Sequence, residues 1–496
     1  LSEVVDPFAR RRSGVLLHPT SLPGKWGQGD LGPEAYRFVE FLAAAKQTVW
    51  QSLPLGPTHA DRSPYQCLSV HAGNPEMISL ELLMADGWLT EGDLSEPPGR
   101  GAKEPGVRRE RLIGLAYHGF LDRASEPEKA QFTDFMRQHA YWLDDFVLYR
   151  SLRRRHNGAP WNQWKIPLRD RHPEALEEVR REDGDYMGQV YFEQYVFFMQ
   201  WSDLKSYANA REILLFGDVP IFVAYDSADV WARRRYFKLN GEGRPEVIAG
   251  VPPDYFSASG QRWGNPHYDW EKIRADGFRW WIERIAAQLE LFDIIRIDHF
   301  RGFESFWAIP VDEPTAINGR WVKAPGDELF TALKNHFGIL PLVAEDLGVI
   351  TAEVTRLRER FGLPGMKILQ FAFDSDARNP YLPHNHEAKA VVYTGTHDND
   401  TTLGWYRKLP PARVQYVDEY LGETGDLMPW PLIRCALESV AQLAMIPMQD
   451  ILMLGSEHRM NTPGTEQGNW VWRFSWDQVN DELVRRLGHM TALYGR

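Results

Sequence analysis

The sequence predicts an α/β fold, a (β/α)8 TIM barrel carrying inserted, largely helical subdomains, and three observations point to it. Eight short apolar runs bounded by turn residues read as buried parallel strands. Helical stretches with one apolar stripe separate several of them. Three of the runs end in or lead directly to a carboxylate, and in a barrel the C-terminal strand ends converge on one site.

In chain order the runs are Val15–His18, Val49–Leu53, Ile213–Val219, Ile294–Asp298, Leu342–Glu345, Lys367–Phe371, Val391–Thr396 and Asp450–Leu454. After the first run, Pro33 to Lys46 keeps Tyr36, Phe38, Val39, Phe41, Leu42 and Ala45 mainly on one stripe, with Pro33 suited to the first helical position. Phe278–Leu291 and Pro431–Ala444 carry similar stripes, and Thr351–Arg360 has a Thr that can cap and Gly362 as a stop. About 160 residues separate Leu53 from Ile213 and about 75 separate Val219 from Ile294, far more than the ~30 of one βαβ unit. Both gaps therefore hold insertions, at about 60–210 and 225–275 of a single barrel domain spanning 1–496. The first is mostly helical and rich in charge. The second contains NGEGRPEVIAGVPPDYFSASGQRWGNP, which reads as a long Gly/Pro/aromatic loop of the kind that carries function.

Composition excludes several classes. Hydrophobic residues make up 43% and charged residues 25% of the 496, both globular values. The formal charge of −12 argues against nucleic acid or an anionic membrane as partner. Short runs such as Arg153–Arg155 and Arg233–Arg235 read as solvated faces. Two cysteines, Cys67 and Cys435, are too few for a disulfide framework or zinc cluster, so a reduced, cytoplasmic protein is expected. No signal peptide is visible in LSEVVDPFARRRSG, and no apolar run is long enough to span a membrane. The aromatic load is high, at 19 Trp, 19 Tyr and 25 Phe. Trp stacks on sugar rings, and Trp263, Trp470 and Trp472 sit in polar, Gly/Pro-rich stretches. The plainer reading is that a large core absorbs Trp.

The chemistry should lie at the strand ends. In IIRIDHF, Arg296 and Asp298 are two apart, so they share one face of a strand while Ile295 and Ile297 share the other. The fifth run brings Glu345 and the seventh Thr396, His397 and Asp398, with His299 following the fourth and Asp218 lying in the third. Two carboxyl groups flanking a scissile bond are what glycoside chemistry requires. Arg296 beside Asp298 favours the ionised, nucleophilic form. A carboxyl held protonated among other acids serves as general acid. Asp398 adds a third acid that can bind hydroxyls and offset positive charge in an oxocarbenium-like transition state. A metal site built on His299, His397, Asp398 and Asp400 is the rival, but HDND lacks the glycine of an EF-hand loop. No GxxxxGK[ST] or GxSxG occurs, which sets P-loop phosphate and serine-hydrolase chemistry aside.

A longer set of motifs is specific. LLHPTSLPG (16–24), LPLGPT (53–58), SPYQ (63–66), GDVPIFVA (217–224), AGVPPDYFS (249–257), GQRWGNP (260–266), RIDHFRGFE (296–304), VAEDLG (343–348), GLPGMKILQFAF (362–373) and TGTHDNDTTLGWY (394–406) occur in this order. Together they resemble the amylomaltases. These are 4-α-glucanotransferases or disproportionating enzymes, glycoside hydrolase family 77 of the α-amylase clan. The resemblance implies a barrel with inserted subdomains and no C-terminal β-sandwich. It also implies a retaining two-step transfer of α-1,4-glucan segments to the 4-hydroxyl of an acceptor, with no metal or organic cofactor, and with cyclisation of long chains as a further outcome. By the same resemblance Asp298 is the nucleophile, Glu345 the acid/base, Asp398 the transition-state stabiliser and Arg296 the arginine that steadies the nucleophile. Asp218, His299 and His397 surround the sugar at the cleavage point. Tyr255 and Phe256 arch over the glucan, Gln261 and Trp263 line the nearby groove, and Tyr65 and Asn469 are further substrate contacts. A hydrolase using the same acids, or a non-catalytic glucan-binding barrel, are the alternatives. Maltooligosaccharides, amylose, starch or glycogen are the expected partners.

Overall fold

The computed structural model describes residues 6–95, 105–253, 257–422, 425–465 and 467–496. Its twelve strands are β1 (Arg12–Leu16), β2 (Val49–Gln51), β3 (Leu214–Pro220), β4 (Val247–Val251), β5 (Gln261–Pro266), β6 (Ile294–Asp298), β7 (Ser305–Pro310), β8 (Arg320–Lys323), β9 (Leu342–Ala344), β10 (Gly365–Ile368), β11 (Ala390–Tyr393) and β12 (Leu443–Pro447). Eight of them pair in parallel in the order β10-β11-β12-β1-β2-β3-β6-β9. The Ala344 N–H donates to the Pro364 carbonyl at 2.9 Å and closes the ring between β9 and β10. The chain thus visits the barrel strands in sequential order, the arrangement of a (β/α)8 barrel.

Period-2 alternation sorts the strand residues. Val49, Phe216, Ile294, Val343, Met366, Ile368, Val391, Tyr393, Leu443 and Met445 fill the barrel as one cluster. Their neighbours Trp50, Leu215, Ile295, Leu342, Val392 and Ala444 point outward into the larger core shared with the helices. Ile295 and Ile297 are at most 1% exposed, and each such side chain stabilises the fold by about 1.5–3 kcal/mol through burial. On β6 the inward column is Ile294, Arg296 and Asp298, so the apolar base gives way to charge toward the strand end.

Most expected strands are found within a few residues, but the last is displaced. The eighth barrel strand is Leu443–Pro447, whereas residues of the expected run Asp450–Leu454 follow it, Asp450 and Ile451 inside the helical turn Met448–Ile451. The expected helix Pro431–Ala444 correspondingly ends at Glu438. A four- or five-residue apolar run suits a strand and a buried helical turn equally. Asp450 makes the difference: its carboxylate accepts from Thr394 Oγ1 at 2.6 Å and from the Thr402 N–H at 2.7 Å, so it braces the loop beyond β11. The sixth run is likewise split, with Leu369–Phe371 leaving the strand as a 3-10 turn.

The insertion between β2 and β3 is helical. Its long members are Glu126–Arg155 and Gly184–Asn209. Ser125 and Glu128 form a capping box at the start of the first, and Arg153–Arg155 lie in its last turn, favourable at a helix C-terminus. Arg154, Arg155 and Arg235 are exposed, as expected of a solvated face, but acids also engage five of the six arginines in these two runs, as in Arg155–Glu182 at 2.9 Å and Arg233–Glu283 at 3.1 Å. Gln194 exchanges two hydrogen bonds with the Gly73 backbone and Gln200 two with Ser79. The helix thereby anchors the loop that carries Tyr65.

The stretch expected as a loop after β3 contains two strands. β4 and β5 join β7 and β8 in an antiparallel sheet of order β5-β4-β7-β8. Glycines hide the alternation: a Cβ at Gly250 would meet the Gln261 carbonyl oxygen at 2.1 Å, so glycine is what permits the pairing. No helix among the described residues is long and apolar enough to cross a membrane.

Candidate active site

The site is assembled at the C-terminal ends of β3, β6, β9 and β11. Asp218 and Arg296 face each other in the register of β3 and β6. Arg296 Nη1 donates to Asp218 Oδ2 at 2.6 Å and its Nη2 to Asp298 Oδ1 at 2.9 Å. The Arg296 side chain is 6% exposed and that of Asp298 31%, so the acid faces the groove and the guanidinium lies behind it. Burial works against the Arg296 charge, but Asp218 and Asp298 hold its pKa well above the ordinary value. Burial pushes the Asp218 carboxyl up, against the pull of Arg296.

Just past β6, His299 takes a left-handed backbone with φ 53°. Such a conformation costs a non-glycine residue on the order of 1 kcal/mol and clusters at functional sites. Here the His299 N–H donates to Glu345 Oε2 at 2.8 Å, while the Leu347 N–H donates to Glu345 Oε1 at 3.0 Å. Burial pushes the Glu345 carboxyl up to about 7; Arg296 and the two N–H donors oppose this, and Asp298 adds to it. The His299 ring is neutral near pH 7, since burial lowers its pKa to about 4.

Beyond β11, His397 Nε2 stands 3.3 Å from Asp398 Oδ2. Burial would lower His397, yet the Asp398 carboxylate holds it above its ordinary pKa. Asp398 is depressed in turn: burial opposes, and His397 and Asn461 prevail. Tyr65 lies flat on His397, with ring centroids 5.1 Å apart and planes at 21°, and donates to Asp218 Oδ2 at 2.8 Å. His18, at the end of β1, is buried and neutral, pushed down to about 3 by burial and by His397.

Tyr65, Asp218, Arg296, Asp298, His299, Glu345, His397 and Asp398 are therefore brought together. Trp263 joins them by standing edge-on to His299, centroids 4.9 Å apart, with its indole N–H donating to Gln261 Oε1 at 3.1 Å. Tyr255 and Phe256 lie outside the described residues. Asn469 braces its own loop, accepting from the Thr462 N–H and donating to the Thr465 carbonyl, each at 2.9 Å. That loop presents Asn461, which sequence reasoning missed and which donates to Asp398 Oδ1 at 2.6 Å. Trp470 lies 6.0 Å from both Tyr65 and His397. Trp472, also singled out, is buried and donates to His458.

Three of the residues suggested as metal ligands have other side-chain partners, His397 and Asp398 pairing with each other. Asp400 accepts from Lys408 at 2.5 Å and from Ser456 at 2.9 Å. Among the described residues no cluster of three His, Cys, Asp or Glu side chains is placed to hold a metal ion.

A family model described as 4-alpha-glucanotransferase matches residues 17–479. The 4-alpha-glucanotransferase of Thermus thermophilus is 50% identical over 97% of this chain and 98% of its own. That of Synechocystis sp. is 50% identical over 98% of each. Among solved structures, the amylomaltase from Streptococcus agalactiae in complex with acarbose superposes with a TM-score of 0.94 at 37% identity, over 98% of this chain and 100% of that one.

Proposed function

This chain belongs to the 4-alpha-glucanotransferase family, and from that premise we propose that it moves α-1,4-glucan segments by a retaining double displacement. Asp298 attacks the anomeric carbon while the Glu345 carboxyl delivers its proton to the departing glycosidic oxygen. The C–O bond to the leaving chain breaks as the glucosyl ester to Asp298 forms. Glu345, now ionised, then accepts the proton of an incoming sugar 4-hydroxyl. That oxygen takes the anomeric carbon and frees Asp298. The observation that carries this reading is the contrast between two neighbouring carboxyls: Asp298 is hydrogen-bonded to a guanidinium, whereas Glu345 keeps its proton up to about 7.

Asp398, ionised beside His397, offsets the positive charge that builds on the sugar ring. Asp218 Oδ1 and His299 Nε2 are buried without a hydrogen-bond partner among the described residues, which suits them to sugar hydroxyls. The acarbose complex of the related amylomaltase supports a glucan-like ligand. An acceptor sugar seated beside the ester has a high effective concentration, which favours transfer over hydrolysis. With a long donor, the chain's own far end can act as acceptor, and the product is then a cyclic glucan.

Incubation with maltotriose alone tests the reading. A ladder of longer maltooligosaccharides plus glucose, with reducing ends constant, is expected. Only shorter sugars with rising reducing ends would mean that water is the acceptor. No turnover would return the protein to the class of binding modules.

A further inference from the structure

The two N–H groups that grip Glu345 come from different turns, one following β6 and one following β9. What holds those turns to each other is Arg301. Its backbone lies in the turn Phe300–Phe303, which starts from the left-handed His299. Its guanidinium Nη1 donates to the Val349 carbonyl, two residues beyond Leu347. Its flat face lies over the Trp321 ring of β8, 3.8 Å from the centroid. Trp321 is in turn packed on Trp307 of β7 at 5.1 Å. Arg301 itself is 8% exposed, although Trp321 is 40% exposed and Val349 lies on the surface. A buried guanidinium spanning three elements is an expensive way to fill space, since its desolvation must be met by partners of fixed geometry.

We propose that Arg301 is a positioning residue for Glu345, clamping together the two backbone turns whose N–H groups hold its carboxylate. The inference deepens the reading of Glu345 as the proton donor and rests on it. The backbone supports the same picture, because the Glu345 N–H donates to the Ile297 carbonyl at 3.0 Å and the Phe300 N–H to the Glu345 carbonyl at 3.1 Å. These two bonds fix the Glu345 main chain against β6. They do not fix the turn at Leu347–Val349, which is where Arg301 acts. Without the clamp the Leu347 donor swings free, and a displacement of about 1 Å at a proton donor costs up to about 100-fold in rate.

The test reads the ionisation of Glu345 as well as the rate. The groups that face this carboxyl are Arg296 and Asp298 from β6, neutral His299, and Tyr381 from the segment after β10. Of these, His299 feels the Arg301 charge, which helps to lower its pKa, so Trp321→Ala, which keeps that charge, gives the cleaner reading. Maltotriose transfer by the full chain is followed against pH for wild type, Arg301→Leu, Arg301→Lys and Trp321→Ala. Losing backbone donors raises a carboxyl pKa, so the alkaline limb of kcat/KM should move up by about half a pH unit in Arg301→Leu. The same variant should lose about tenfold in kcat with KM little changed. Trp321→Ala removes no charge, and should move the limb in the same direction by less. Arg301→Lys, which still donates to Val349, should recover part of the rate. Slower variants whose limbs stay where wild type has them would overturn the clamp and leave Arg301 a packing residue. If Arg301→Leu does not fold, Trp321→Ala decides on the same criterion. Glu345→Gln separates the two levels of inference. Wild-type transfer by Glu345→Gln would remove Glu345 from the mechanism altogether. Loss of transfer there, with unmoved limbs in Trp321→Ala and Arg301→Leu, would remove only the clamp.

Discussion

His397 Nε2 and Asp398 Oδ2, on consecutive residues beyond β11, form an ion pair 3.3 Å long. The partners shift each other in opposite directions, His397 above and Asp398 below its ordinary pKa, each against the effect of its own burial. For a histidine whose folded pKa is raised, the stabilisation is complete below about 6.5 and is lost as pH climbs through the folded value. For a depressed aspartate it is present above about 3.9 and is lost as pH falls through the folded value. The pair therefore stabilises fully between about pH 4 and 6.5. Asp398 is 49% exposed at its side chain, and solvent screening keeps the effect below about 1 kcal/mol. Melting curves of wild type and His397→Gln should differ most in that window and converge on the alkaline side. A gap that widens above neutrality would contradict the pairing.

Glu345 is shifted in the direction opposite to Asp398, and its effect on stability has the opposite sign. Its folded pKa is raised to about 7, so the folded state keeps a proton that the unfolded chain releases near 4.3. Stability must fall as pH rises from about 4.3 to 7, and the full cost persists above. Glu345→Gln carries no such cost. It should melt roughly 1–3 °C higher than wild type at pH 8 and show little gain at pH 4. The same change should remove about 10²–10⁴ of the transfer rate. Calorimetry at the two pH values and a single rate measurement check both halves.

Arg296 and Asp218 should be strongly coupled. Asp218 is 1% exposed and Arg296 5%. Replacing Arg296 by Met leaves a buried carboxylate supported only by the Tyr65 hydroxyl and the positive edge of His397, and should destabilise by about 3–5 kcal/mol. Adding Asp218→Asn to that variant removes the orphaned charge. The double variant should therefore be more stable than the sum of the single losses by at least about 1 kcal/mol. Arg296→Lys should not restore activity, because one ammonium replaces two N–H groups that serve two separate carboxylates. Denaturant titration of the four proteins gives the coupling directly, and additive losses would show that the bond at 2.6 Å contributes little.

The site was legible in the sequence wherever strand alternation governs. Arg296 and Asp298 sit two apart on β6, so they share one face, and their place at its C-terminal end puts them in the barrel mouth. Alternation gave no help at β12, where LAMIP and DILML are both short apolar runs and only the tertiary role of Asp450 separates strand from turn. It failed again at β4 and β5, whose Gly and Pro residues mask the period. Asn461 touches Asp398 across 63 residues of chain from a loop without regular structure, and no local pattern announces such a contact. The helical insertion is similar. Gln194 and Gln200 hold the Tyr65 loop through backbone bonds across 121 residues, and a glutamine on a helix carries no sign of its partner.

Trp263 connects the antiparallel sheet to the chemistry. Its ring meets His299 edge-on at 90°, and its indole N–H is directed by Gln261. His299 is neutral near pH 7 and adjoins the proposed nucleophile, so on the proposed mechanism an acceptor sugar would lie beside the Trp263 ring. Once the glucosyl ester has formed, acceptor and water compete for it, and an aromatic wall favours the sugar by stacking and by excluding water. Trp263→Ala should leave the ester-forming step largely intact, because the indole engages Gln261, His299 and Phe222. It should lower the ratio of transfer to hydrolysis by about tenfold, the effect of losing roughly 1.4 kcal/mol of acceptor binding. Counting reducing ends during maltotriose turnover measures this: they are expected to stay constant in wild type and to rise steadily in the variant. An unchanged ratio with a uniformly lower rate would instead place Trp263 in donor binding, and the acceptor would have to be held by other residues.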